Sequence, residues 1–320
     1  MENDAWYDYF LENLLTKFPK KSQLVDELME LLCIEREAVY RRLRKDVAFT
    51  IHEVVRIAKA WNISMDEIVN AGSNNVTFVL KPINYFDPSD TEFQEIRRRI
   101  RMLEHLRTTQ NSESMEVCNK LSRSVLGGHV NLYRFSIFRW AYQYGNRKER
   151  IQFSQTNMSE EFLEEMNYYY QTVKYMETTN YIWDQMIFNY MVYDIRYFHS
   201  IMLITDEEKE VLRKELLTLL DYWSEVASRG SFPETKNKVN IYISKLNIEA
   251  NFSYYYTEQL KLCRVHVFDK ADITSFDTRM LADFRAWMQL KKRTSVKISE
   301  VDERGRLEFF MKQQRIVEEM

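Results

Sequence analysis

Ser22, Gln23, Arg36, Glu37, Tyr40, Arg41, Arg44 and Lys45 are the residues of this chain whose types and spacing suit one defined chemistry. From Arg36 to Lys45 the cations Arg36, Arg41, Arg42, Arg44 and Lys45 stand against a single acid, Glu37. If this stretch is a helix with Ile34, Val39 and Leu43 turned inward, then Arg36, Glu37, Tyr40, Arg41, Arg44 and Lys45 share its outer face. Guanidinium, carboxylate and hydroxyl groups can hydrogen-bond base edges in a major groove, and cationic, hydroxyl and amide groups that meet phosphates instead fix position without reading sequence. On that reading Arg36, Glu37, Tyr40 and Arg41 meet base edges, while Arg44, Lys45, Ser22 and Gln23 hold the backbone.

Such a face needs elements that present it. Leu24, Leu28, Leu31 and Leu32 recur at helical spacing, a tight turn follows at Cys33, and a second helix runs from Glu35 to Lys45. Two further helix starts are marked by hydroxyl–carboxylate pairs three residues apart, Thr50 with Glu53 and Ser64 with Glu67.

From Leu24 to Ile68 the chain resembles the phage-repressor-like (Xre/Cro-type) helix-turn-helix domains of bacterial transcriptional regulators. Leu32-Cys33-Ile34-Glu35 stands for the family's turn, and Ala58-Lys59-Ala60-Trp61-Asn62-Ile63-Ser64-Met65-Asp66-Glu67-Ile68 for its downstream helix boundary. The resemblance implies a lambda-repressor-like helical domain, double-stranded DNA as partner, and a dimer whose paired recognition helices read a near-palindrome. Three departures stand out. Cys33 replaces a preferred glycine, which costs on the order of 1 kcal/mol if φ there is positive. Val25 and Met29 replace the first helix's phosphate-binding Gln and small Ala, moving backbone anchoring to Lys21, Ser22 or Gln23.

The competing reading is a solvated basic face, common in proteins that never touch nucleic acid. It makes the chain a protein–protein interaction or scaffold protein without DNA readout. Composition excludes extremes. With 45% hydrophobic and 29% charged residues the chain can bury a large core, and a formal net charge of -3 leaves DNA affinity to a local patch. Cys33, Cys118 and Cys263 lie far apart without a CxxC, which points to a reducing compartment and no metal site. An acidic start and the lack of any long apolar run predict a cytoplasmic protein without a membrane partner.

Residues 1–72 are expected to form the helix-turn-helix domain, 73–90 a linker with a short strand at Val76–Leu80, and 91–320 a mainly helical regulatory and dimerisation domain. Ser89 and Glu92 cap a helix striped by Phe93, Ile96, Ile100 and Leu103, whose Arg97, Arg98, Arg99 and Arg101 either touch phosphates or are simply solvated. Leu132–Tyr144, Ser159–Met176, Ile182–Met202 and Asp206–Ser228 read as long helices, the last opened by Thr205 and Glu208. Period-two patterning near 237–269 reads as an antiparallel meander of three strands, followed by helices at Asp277–Lys292 and Ser299–Val317. The predicted fold is therefore mainly α with a small antiparallel sheet: a lambda-repressor-like N-terminal domain and a larger α+β C-terminal domain. The tail Ile298–Arg304 with Phe309-Phe310 is similar to that of large bacterial helix-turn-helix regulators, which supports the architecture alone.

Catalysis finds little footing. His52, His105, His129, His199 and His266 are scattered, and no phosphate loop or nucleophile motif occurs among six glycines. Gly127-Gly128 reads as a turn, and Glu160, Glu161, Glu164 and Glu165 as a solvated first helical turn. The expectation is a non-enzyme without cofactor. Tyr168–Tyr170 and Tyr254–Tyr256 suit either ordinary packing or an apolar cavity with phenolic hydroxyls for a small-molecule effector; a protein effector is the third option.

Overall fold

A computed structural model of the chain describes residues 5–18, 20–61, 63–70, 78–80, 83–84, 89–144, 151–267 and 270–320. It divides into two compact units, Met1–Thr77 and Phe78–Met320.

The first unit consists of α1 (Ala5–Lys17), α2 (Lys21–Leu32), α3 (Arg36–Leu43), α4 (Ile51–Trp61) and α5 (Met65–Val69). Its core joins Phe10 and Leu14 of α1 to Leu24, Leu28, Val39, Ile57 and Ile68, all fully buried. Helix α1 lies outside the region singled out by sequence, yet it supplies a whole wall. The Thr50–Glu53 capping box forms at the start of α4, with Thr50 N–H on Glu53 Oε2 at 2.7 Å. Ser64 precedes α5, with its carbonyl accepting from Ile68 N–H, while the Glu67 side chain and residues 71–75 of the expected stop lie outside the described residues.

The second unit corrects the predicted small antiparallel sheet. Among the described residues its eight strands form one mixed sheet in the order β1-β7-β6-β5-β2-β3-β4-β8. In chain order the elements are β1 (Val79–Leu80), α6 (Asp90–Arg101), β2 (Glu113–Cys118), α7 (Arg123–Leu126), α8 (Val130–Tyr144), α9 (Glu160–Val173) and β3 (Thr178–Trp183). Then come α10 (Ile187–Ser200), α11 (Asp206–Arg229), β4 (Lys238–Ser244), β5 (Phe252–Tyr256), β6 (Lys261–Val267), β7 (Ala271–Ser275), α12 (Thr278–Lys291), β8 (Ser295–Lys297) and α13 (Glu303–Glu318).

Strands β2, β3 and β4 are parallel, joined by helical crossovers, so β4 does not belong to the predicted meander. Only β5, β6 and β7 run antiparallel in sequence order. The expected helix Ile182–Met202 starts too early: Ile182 and Trp183 end β3, and α10 begins at Ile187. An apolar run covered on both faces has no period that separates strand from helix. The short strand expected in the linker pairs with β7 and so belongs to the second unit.

One face of the sheet carries Cys118, Tyr181, Trp183, Val239 and Ile241 under α7, α8, α10, α11 and α13, forming the main core. The opposite face, with Met115, Val117, Ile182, Tyr254 and Cys263, is covered by α12 through Leu281, Phe284 and Met288. Between α7 and α8, Gly127 leaves no room for a side chain, since a Cβ there would lie 1.8 Å from the Tyr170 ring. The tail motif closes the core. Glu300 N–H donates to Ala227 O beside the left-handed Gly230, and Asp302 caps α13 by accepting from Gly305 N–H.

Candidate functional site

Two places gather chemistry, one in each unit. In the first, α2 ends in a left-handed Cys33 with φ of 55°, whose N–H donates to Met29 O, and α3 follows after Ile34 and Glu35. Ser22 and Gln23 are exposed in the first turn of α2. Arg36, Glu37, Arg41, Arg44 and Lys45 are exposed on α3 or just past its end. Tyr40 departs from the expected outer face: its ring is half-buried and packs on the unit's core.

The basic face is less free than its sequence suggests. Arg36 pairs with Asp26, Arg44 with Glu37 at 2.9 Å and Asp46 at 3.0 Å, and Lys45 with Asp8. Arg42 has turned inward, where its guanidinium makes two bonds to Glu53 at 2.8 and 3.1 Å and lies over the Phe49 ring. Arg41 has no ion-pair partner among the described residues. Residues 1–77 carry thirteen acidic and ten basic side chains, so the field of this unit as a whole repels phosphate. The exposed pairs are weak and can exchange a carboxylate for a phosphate; the half-buried Arg42–Glu53 pair cannot do so without loosening α3 from α4.

The second place is a cavity of about 270 Å³ inside the second unit. It opens beside the carboxyl end of β2, where the chain turns through Asn119–Ser122 into α7. Asn251 pins this turn, its Oδ1 accepting from Asn119 N–H at 2.7 Å. Asp184 fixes the start of α10 on another wall, accepting Met186 N–H on Oδ1 and Ile248 N–H on Oδ2.

At one pole of the cavity the buried Glu116 takes the Ser122 and Ser124 hydroxyls on Oε2, each at 2.7 Å. The Tyr255 hydroxyl approaches Oε1 at 3.5 Å and meets the Tyr169 hydroxyl at 3.2 Å. Burial pushes the Tyr169, Tyr181 and Tyr255 phenols upward, with the Glu116 charge adding to the rise, so all three are neutral hydrogen-bonding groups. At the other pole Asp272 is buried among Arg123 at 3.4 Å, Arg99 at 3.6 Å and His266 Nδ1 at 2.6 Å. Burial works against its charge, but Arg123, His266 and Arg264 outweigh it and hold the carboxyl well below its usual range.

The cavity is net basic. Arg99, Lys120, Arg123, Arg139, Arg264 and Lys270 line it against Glu116, Glu249 and Asp272, among the described residues. Of the tyrosines singled out by sequence, Tyr169 and Tyr255 line it; Tyr170 packs on Gly127, and Tyr254 donates to Glu113 at 2.8 Å. Arg99 of the arginine-rich α6 also faces it, while Arg97 pairs with Glu161 and Glu165, and Arg98 with Glu95. Glu165 is therefore buried in an ion pair instead of solvated. No group of His, Cys, Asp and Glu able to hold a metal occurs among the described residues.

No protein-family model, curated protein or solved structure matches this chain. No helix among the described residues is long and apolar enough to cross a membrane.

Proposed function

We propose that the chain is a sequence-specific DNA-binding transcriptional regulator that reads a major groove through α3. The observation that carries this reading is the α2–turn–α3 unit, with a left-handed Cys33 at the turn and Arg36, Glu37, Arg41, Arg44 and Lys45 on the exposed side of the second helix. Arg36, Glu37 and Arg41 meet base edges; Arg44, Lys45, Ser22 and Gln23 hold phosphates. Tyr40 contributes its hydroxyl edge alone, since its ring packs on the core.

Because unit-wide charge is acidic, phosphate contacts are few and local, so two copies acting on half-sites roughly 34 Å apart supply the affinity. The cavity of the second unit is the place for an effector that biases this pairing. A titration of a labelled duplex at several salt concentrations tests the reading: affinity falls with salt by a slope set by the few phosphate contacts, and a selected duplex outcompetes a scrambled one.

One observation favours a second reading. The pairing of Arg36, Arg44 and Lys45 with acids of the same unit, together with that unit's acid excess, suits a face that docks a protein. That alternative predicts no dependence on duplex sequence.

A further inference from the structure

Residues paired across strands share a face of the sheet, and two such pairs define one row under the cavity. Glu116 of β2 is opposite Ser253 of β5, and Ser253 is opposite Arg264 of β6. An acid and a guanidinium thus stand two strand spacings apart, roughly 10 Å, with only a serine side chain between them. No ion pair joins them, and they are close enough for one small molecule to touch both.

Arg264 at one pole and one oxygen of Glu116 at the other have capacity to spare. Arg264 is half-buried, lies with its guanidinium 5.4 Å from the centre of the Tyr255 ring, and has no carboxylate at ion-pair distance among the described residues. A half-buried guanidinium of this kind favours a dianionic, multi-oxygen group that accepts several of its donors. Its neighbour Arg123 extends the same pole. Glu116 spends Oε2 on Ser122 and Ser124, while Oε1 faces only a long approach from Tyr255, so this oxygen can accept a hydroxyl. A carboxylate beside serine and tyrosine hydroxyls recognises a polyol.

We infer that the cavity binds a phosphorylated sugar, as a sugar phosphate or as the same group within a nucleoside monophosphate, with the phosphate at Arg264 and Arg123 and the sugar hydroxyls at Glu116. The volume of about 270 Å³ lies near the lower limit of ligand pockets, roughly 300 Å³, and suits a molecule of that size. The place fits as well, since open α/β sheets hold ligands beside the carboxyl ends of their parallel strands. Binding depends on the cavity alone; only its regulatory consequence rests on the DNA-reading proposal.

Calorimetric titration of the full chain without DNA tests the inference separately from that proposal. The probes are ribose 5-phosphate, adenosine monophosphate, inorganic phosphate and ribose. At least one of the first two binds ten-fold or more tightly than either inorganic phosphate or ribose, and which of them binds better assigns the source. Arg264→Gln lowers that affinity at least ten-fold. Glu116→Gln lowers it too, but leaves the weak binding of inorganic phosphate unchanged. If Glu116→Gln does not fold, Ser253→Val, which narrows the strip between the poles, abolishes sugar-phosphate binding in its place. Absence of binding by both phosphorylated sugars at millimolar concentration, or unaltered binding by Arg264→Gln, overturns the inference.

Discussion

Glu116 and Arg264 face the same cavity from one register row, separated by Ser253 on the strand between them. On the parallel side of Glu116 the row continues as Tyr181 and Ile241, which belong to the packed core. One continuous row therefore changes from apolar filling to a polar floor at Glu116. Helices α8, α10 and α11 press on the apolar half, and the polar half stays open, lined by α6 and α9 together with residues of α8 and α10.

The charge balance at the basic pole depends on Asp272. Replacing it by Asn leaves Arg99, Arg123 and His266 without their shared carboxylate inside a largely buried site. Loss of one member of such a cluster destabilises by about 3 kcal/mol. Urea unfolding of Asp272→Asn checks this, and an unchanged midpoint would show the cluster to be energetically idle.

In the first unit, Glu53 serves α4 as capping acid and Arg42 as counter-ion. Glu53→Gln lowers the stability of this unit by about 1–3 kcal/mol. Burial raises the Glu53 carboxyl, but its bonds to Arg42 and Thr50 prevail and its net shift is downward. A depressed folded value means the contribution is complete above the unfolded value of about 4.3 and disappears as pH falls through the folded one. Melting followed between pH 7 and 3 shows this loss in the natural chain, and Glu53→Gln flattens it.

Cys33 has a φ of 55°, where a side chain is strained and glycine is not. Cys33→Gly raises stability by about 0.5–1 kcal/mol, the gain at the turn being partly offset by the greater freedom of glycine in the unfolded chain. A loss of stability on this substitution contradicts the strain argument.

Much of the helical layout was legible because its signals are local. The Ser89–Glu92 and Thr205–Glu208 boxes start α6 and α11 where sequence places them, and the Cys33 turn separates α2 from α3 as read. The mixed sheet was not legible. Strand β3 is covered on both faces and flows into the apolar α10, so no periodicity marks the change, and the parallel partnership of β3 with β2 and β4 links residues more than fifty positions apart. The cavity is equally non-local: Tyr169 and Tyr255 stood out as aromatic, but nothing near Glu116 in sequence announces Arg264. The pairing of the basic face is equally hidden, because one of its acids, Asp8, sits in α1, a helix outside the helix-turn-helix segment.

Arg41 and Lys45 separate base reading from backbone holding. Arg41→Ala weakens binding to a preferred duplex by about 1–3 kcal/mol and relaxes base preference. Lys45→Ala weakens all duplexes alike and lowers the salt slope by about one. Anisotropy titrations on matched and scrambled duplexes distinguish the two, and indifference of both affinity and preference to Arg41→Ala removes α3 as the reader.

The most direct measurement is selection of bound sequences from a random duplex pool with the full chain. Two copies, each placing α3 in a major groove, enrich a near-palindrome with half-site centres about one helical turn apart. Recovery of no motif at all, at salt low enough for non-specific binding to be seen, contradicts sequence readout by α3 and leaves the first unit as a protein-docking module.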